Sequence, residues 1–168
     1  MYVVEQRRTW RSNAPSEKLA QIMKIINRKA HYDYKIEETF EAGINLLGSE
    51  VKAVRLGHAD LSGSFARIMG NEAYLIGARI FPYEFARPEN YDPKRTRKLL
   101  LHKKQIISLR GKTEGASLTI VPISLYTKSN LIKLELGIGK SKKKFEKKEA
   151  IKRKDIDRDI EEALKGNT

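Results

Sequence analysis

Two stretches of this 168-residue chain combine side chains that bind phosphate with side chains that stack on a base or read its edge. The first is Asn27-Arg28-Lys29-Ala30-His31-Tyr32-Asp33-Tyr34. The second runs from Glu89-Asn90-Tyr91-Asp92-Pro93 through Arg95, Arg97, Lys98 and His102. Lys and Arg neutralise phosphates and release condensed counterions, which favours association with nucleic acid of any sequence. Tyr, His and the Arg guanidinium offer planar groups to unstacked bases, while Asn and Glu suit base edges and ribose hydroxyls. That mixture fits folded RNA better than duplex DNA. Two of these residues have plainer explanations: Tyr34 as core packing and Asp33 as the partner of a neighbouring Arg.

Residues 140–154 read KSKKKFEKKEAIKRK, which holds nothing able to cover a core. The sign of charge then reverses in DIDRDIEEALK, where Ile156, Ile160, Ala163 and Leu164 share one side at helical spacing. An isolated helix of this length is marginal in water, so the segment is expected to be disordered alone and helical on a partner's surface. Over the whole chain Lys and Arg number 34 against 21 Asp and Glu, a formal net charge of +13 that calls for a strongly anionic partner. Cysteine is absent, which removes disulfides, thiolate metal sites and cysteine catalysis, and three histidines alone do not make a zinc site. No Gly-rich phosphate loop and no paired nucleophile and base stand out, so an enzyme acting on RNA ranks below a binding protein and no cofactor is expected. No apolar run reaches the length of a membrane span, so a soluble protein without a membrane partner is expected. The first residues lack the apolar centre of a secretory signal, and their composition leaves an organellar address open.

Short strands must position these residues. Residues 1–23 show no sustained period and break at Asn13-Ala14-Pro15, predicting an irregular N-terminal extension. Alternation at Tyr34, Ile36, Phe40, Ala42, Ile44 and Leu46 predicts a strand or pair of strands ending at Gly48. Ser49 then precedes a short helix over 50–55 with Val51 and Val54 on one face, Lys52 and Arg55 outside, and Gly57 as its stop. Residues 65–69 and 73–80 read as a hairpin turned by Gly70-Asn71-Glu72, and 81–93 as a long loop. Leu99, His102, Ile106 and Leu109 predict a helix over 98–110 closed by Gly111. Residues 117–126 and 131–138 form a second hairpin around Lys128-Ser129-Asn130, with Ile132, Leu134, Leu136 and Ile138 inward. The sum is a mainly β chain with short helices: an OB-fold-like antiparallel barrel over 24–139 and a basic tail over 140–168. Such a fold is often used on nucleic acids but does not establish function.

Taken in order, NRKA (27–30), DYKIEETFEAGINLLGSEVKAVRLG (33–57), NYDP (90–93), RTRKLLLHKKQI (95–106) and GKSKKKFEKKE (139–149) closely resemble the small protein B family, the SsrA-binding proteins. The resemblance spans roughly residues 24–165, and its motifs are long, ordered and separated. It implies a non-enzymatic adaptor with an OB-like barrel that binds the tRNA-like domain of transfer-messenger RNA (SsrA RNA). Such an adaptor delivers that RNA, with elongation factor Tu, to ribosomes stalled without a usable codon, which is trans-translation in the bacterial cytoplasm. The family's RNA grip carries over to Asn27, Lys29, Glu41, Gly43, Lys52, Arg55, Asn90, Tyr91, Arg95, Arg97, Lys98 and His102. By type, Lys52, Arg55, Arg95, Arg97 and Lys98 suit phosphates, Asn27 and Glu41 polar recognition, and Gly43 a close backbone approach. Glu41 is the sharpest of these, since a carboxylate facing RNA must accept from a base or sugar hydroxyl or else repel.

The family tail occupies the empty decoding site and the mRNA channel. Here that role falls to Lys142, Lys143, Lys144, Lys147, Lys148, Lys152, Arg153 and Lys154. Several positions depart from the family pattern. Ser141 stands for the Gly before the Lys run, Phe145-Glu146-Lys147-Lys148 for aromatic-Asp-Lys-Arg, Ile156 for a common Trp, and His31-Tyr32 displaces the usual His. Charge survives, but Lys148 lacks the bidentate fork of Arg. A structural ribosomal protein would satisfy the same composition, and would differ by binding ribosomal RNA stoichiometrically.

Overall fold

In chain order the strands and helices are β1 (Lys24–Ile26), α1 (Arg28–Asp33), β2 (Tyr34–Ile44), α2 (Gly48–Arg55), β3 (Ala59–Asp60), β4 (Phe65–Met69), β5 (Glu72–Ile76), β6 (Arg79–Ile80), β7 (Arg97–Leu100), α3 (Lys103–Thr113), β8 (Leu118–Lys128), β9 (Leu131–Ser141) and α4 (Lys144–Lys165). This is a computed structural model, and it describes residues 24–86 and 89–166. The N-terminal extension expected over 1–23 lies outside the described residues. The strands pair antiparallel in the order β8-β4-β5-β7-β2-β9, and β9 returns to β8, so the sheet closes on itself as a barrel and its strands are shielded from further pairing. β1 extends the free half of one β8 edge, and β3 with β6 makes a separate small ribbon.

Period-two patterning explains the closure. Ile132, Leu134, Leu136 and Ile138 of β9 are buried, whereas the intervening Lys133 and Glu135 are only half-buried. β8 is instead buried continuously over 120–125, because α1 and α3 pack against it outside the barrel. Ser129 and Asn130, both at positive φ, turn β8 into β9. At Gly139 the β2 backbone comes so close that a Cβ would stand 2.4 Å from the Lys35 carbonyl oxygen, beside the β-bulge that shifts register between Ile36 and Glu38.

Several expectations are corrected. α2 begins at Gly48, so Ser49 lies inside it; Leu47 precedes the helix, and the Glu50 carboxylate accepts its N–H at 2.8 Å. β5 stops at Ile76, where Gly77 (φ +81) turns the chain and sends β6 to pair with β3. The helix expected over 98–110 divides in two. Residues 97–100 form β7, with Leu99 opposite both Ala73 and Ile44, and the helix starts only at Lys103. Gly111 is inside α3, and the positive-φ glycine is Gly115, just beyond its end. β1 and α1 carried no period long enough to announce them.

The tail boundary also moves, because Lys140 and Ser141 still pair with Lys35 and Tyr34 as the end of β9. Beyond them α4 runs as a helix over Lys144–Lys165. Its residues have good intrinsic propensity, and Glu146 accepts the Lys143 N–H at 2.8 Å. No α4 side chain is buried, so packing adds little. Comparing far-UV circular dichroism of the whole chain with that of a chain ending at Ser141 should therefore give a helical difference well below the 22 residues of α4. A full 22-residue difference would mean that α4 sustains itself.

Candidate nucleic-acid interface

On the outside of the barrel, β2, β7 and β5 frame a cleft of about 690 Å³ lined by Glu41, Gly43, Glu72, Lys98, His102 and Lys133, among others. Register places them there. Gly43 is opposite Leu100 of β7 on one side and Lys133 of β9 on the other, and Lys98 is opposite Tyr74 of β5. Because alternate residues share a face, Glu41 with Gly43, Lys98 with Leu100 and Glu72 with Tyr74 all point outward. Gly43 keeps the floor low, since a Cβ there would stand 3.0 Å from the Leu100 Cβ. Four predicted residues, Glu41, Gly43, Lys98 and His102, thus meet at one place.

Glu41 is preset. The Tyr126 hydroxyl donates to its Oε2 at 2.5 Å and Lys128 Nζ lies at 3.1 Å, with Lys133 Nζ 3.9 Å from Oε1. The Tyr126 bond foremost, then the Lys128 bond, lowers the Glu41 pKa below the usual carboxylate value. Burial, then the bond to Glu41, pushes Tyr126 up to about 12. The acid therefore stays charged and aimed, and with 37% of its side chain exposed it keeps room to accept from a ligand. Across β7, Glu72 is engaged by Lys98 and by the Tyr74 hydroxyl. Tyr126, Lys128, Lys133, Glu72 and Tyr74 were not singled out by sequence. For Glu72, Tyr74 and Lys133 the signal available was their alternation with buried residues, which put them on the outer face; Tyr126 and Lys128 follow a continuously buried run and carried no such signal.

Arg95, Arg97 and Tyr91 converge elsewhere, on a residue the sequence reading missed. Glu50 is fully buried and its carboxylate accepts from Arg95 Nε (2.9 Å), Arg97 Nε (3.0 Å), Arg97 Nη2 (2.8 Å) and the Tyr91 hydroxyl (3.1 Å). Arg97 is also fully buried and donates further to the carbonyls of Ala78, Pro93 and Arg95. A phosphate cannot reach it, which corrects its assignment as a phosphate ligand. The Ile80 carbonyl lies 2.9 Å from the Tyr91 hydroxyl and shares its single proton with Glu50, so the hydroxyl is spent inside. These residues fasten the 91–97 loop to α2. Arg95 keeps outward exposure, at 32% of its side chain, and Tyr91 is half-buried.

Asn27 is likewise internal. It is 3% exposed; its amide donates to the carbonyls of Leu61 and Pro122, and its Oδ1 accepts the Ala30 N–H as the N-cap of α1. Its role is to hold α1 on the barrel, which corrects its assignment to polar recognition. Lys29 is exposed on α1, outside the cleft. Lys52 and Arg55 project from α2; Lys52 Nζ sits 5.4 Å over the Tyr83 ring and Arg55 donates to the Asn130 carbonyl at 3.0 Å. Asn90 is exposed at φ +63, a turn conformation that Asn tolerates.

The tail starts latched to α1. Lys142 donates from its backbone to the Asp33 carbonyl at 2.8 Å and from Nζ to the His31 carbonyl at 2.9 Å. Lys147 Nζ lies 2.8 Å from Asp33 Oδ1 and 5.8 Å from the centre of the Tyr32 ring. The partner of Asp33 is thus a tail lysine rather than a nearby Arg. Lys143, Lys144, Lys148, Lys152, Arg153 and Lys154 are exposed.

Residues 24–166 match the family model described as SmpB protein. A protein of Halalkalibacterium halodurans named SsrA-binding protein is 50% identical over 139 residues, 83% of this chain and 90% of that one. One of Chloroflexus aggregans with the same name is 51% identical over 140 residues, 83% of this chain and 89% of that one. A solved structure described as "tmRNA-SmpB: a journey to the center of the bacterial ribosome" aligns with a TM-score of 0.63 at 45% identity, covering 77% of this chain and 95% of that one. With a family model that takes in barrel and tail together, and relatives half identical over most of their own length, this chain belongs to the SmpB family of SsrA-binding proteins.

Proposed function

We propose that the chain is an RNA-binding adaptor of trans-translation: the barrel cleft binds the tRNA-like domain of transfer-messenger RNA, and α4 engages the decoding site and mRNA channel of the stalled ribosome. In this reading it works by contact rather than catalysis, in the bacterial cytoplasm, with elongation factor Tu in the delivered complex. The observation that carries it is the division of cations between two surfaces. One surrounds an acid held ready in a cleft; the other is a helix with no buried side chain. A carboxylate kept charged among lysines discriminates, because it repels backbone phosphate and accepts only from donors. Glu41, Gly43, Lys98 and His102 form the grip, Lys29, Lys52, Arg55, Asn90 and Arg95 flank it, and the exposed tail cations Lys143, Lys144, Lys148, Lys152, Arg153 and Lys154 meet the ribosome.

Competition among the tRNA-like domain, elongator tRNA and duplex DNA across a salt series tests this reading. A preference for the tRNA-like domain that persists at physiological salt is the expected result, and Glu41→Ala should weaken that complex by about tenfold or more while leaving duplex DNA binding unchanged. Equal, salt-labile binding to all three nucleic acids would replace the adaptor by a generic basic RNA-binding protein.

A further inference from the structure

The cleft holds two acids, and only one has a role so far. Glu72 opens β5, next to Ala73, which is opposite Leu99 of β7; Leu99 is in turn opposite Ile44 of β2. Glu72 is thus level with Leu100 and Gly43, two residues along β2 from Glu41, so the two acids rise from strands on either side of β7 with their backbones about 12 Å apart. Their surroundings repeat. Each carboxylate takes a tyrosine hydroxyl and a lysine: Tyr126 and Lys128 for Glu41, Tyr74 and Lys98 for Glu72. The Lys98 bond foremost, then the Tyr74 bond, lowers the Glu72 pKa, so this acid is charged as well. The floor between them is low and partly apolar, made by Gly43, Leu99 and Leu100, and the rim is cationic with Lys98, Lys103 and Lys133. A flat, uncharged group with donor edges and an attached phosphate matches that lining: donors toward the acids, a face over Leu100, phosphate toward the lysines.

We propose that Glu72 is a second specificity-determining acid and that Glu41 and Glu72 bracket one unstacked nucleoside of the bound RNA, each accepting from a base-edge N–H or a ribose hydroxyl. This rests on the RNA-binding reading above. The Lys98–Glu72 pair is exposed at 42% and 44% of its side chains, and such pairs hold weakly, so it opens when Lys98 is drawn to a phosphate. Tyr74 keeps the carboxylate oriented meanwhile.

The test is affinity of the whole chain for the tRNA-like domain and for duplex DNA across a salt series, comparing Glu72→Gln and Lys98→Ala with the parent. Glu72→Gln should bind the RNA about tenfold more weakly, with duplex DNA affinity and the salt slope unchanged. Lys98→Ala should weaken both and make the slope shallower by about one phosphate. Single 2′-deoxy or base-edge changes in the RNA should include one nucleotide whose loss is non-additive with Glu72→Gln. A Glu72→Gln chain that binds RNA and DNA more tightly with a steeper slope would show that the acid merely masks Lys98, and unchanged RNA affinity would show that it touches nothing; either overturns the proposal. If the parent shows no preference for the RNA, the adaptor reading itself falls, an outcome visible before any Glu72 variant is measured.

Discussion

Glu50→Ala should lower the midpoint of thermal unfolding by on the order of 10 °C, the equivalent of about 3–5 kcal/mol, because it removes one partner of a fully buried ion pair. Arg97 would keep its charge with no exposed surface and only carbonyl acceptors and a distant Tyr91 hydroxyl left to it. Arg95 and Tyr91 would lose their anchor at the same time, loosening the loop that leads into β7. The same group gives a pH signature. Burial alone would raise the Glu50 carboxyl, but bonds from Arg95, the Leu47 amide and Arg97 outweigh it and hold the pKa down at about 2, against an ordinary 4.5. A pKa depressed on folding contributes stability that is present above 4.5 and is lost as pH falls from there toward 2. Denaturant midpoints measured across that interval should fall steeply for the parent and be nearly flat in this contribution for Glu50→Gln. A parent-like acid limb in Glu50→Gln would remove Glu50 as the cause.

Ending the chain at Ser141 should abolish peptide tagging on stalled ribosomes while changing affinity for the tRNA-like domain by less than about twofold, since the salt-sensitive contacts removed lie outside the cleft. The position of the cut matters. Removing Lys140 and Ser141 as well would strip the last pairs between β9 and β2, and weaker RNA binding would then report barrel damage. An equal loss of RNA affinity and tagging from the Ser141 truncation would contradict a division of labour between barrel and tail.

The strands that were legible beforehand are those whose two faces meet different solvents. β9 alternates cleanly because its inner side chains fill the barrel while Lys133 and Glu135 face outward. β7 was hidden because Leu99, His102, Ile106 and Leu109 happen to fall at helical spacing although a strand ends and a helix begins between them. Its strand character comes from partners distant in sequence, Ala73 and Ile44, which no local window contains. Candidate residues divide for a similar reason. Residue type marked Arg97 and Asn27 as polar and therefore available, yet burial of Glu50 on α2 and of the Pro122 carbonyl on β8 turned both inward. Glu41 was legible through its motif; the tyrosine and lysines that orient it come from β8 and β9, about ninety residues on.

α4 separates its charges along its length, and most of the basic half lies on the side where the backbone dipole is positive. Helical peptide dipoles leave partial positive charge at the first turns and negative at the last, yet the first half of α4 carries Lys144, Lys147, Lys148, Lys152, Arg153 and Lys154, and the second half Asp155, Asp157, Asp159, Glu161 and Glu162. Glu146 in the first turn and Lys165 in the last ease the two ends, so the opposition falls on Lys144 and Lys147 at the start and on Glu162 at the finish, while Lys152, Arg153 and Lys154 chiefly repel their neighbouring lysines. An anionic surface laid along the lysine half relieves that repulsion, whereas free in solution only mobile counterions do so. The lysine half of the helix thus repels itself until it is neutralised, and its order is tied to where the tail has arrived.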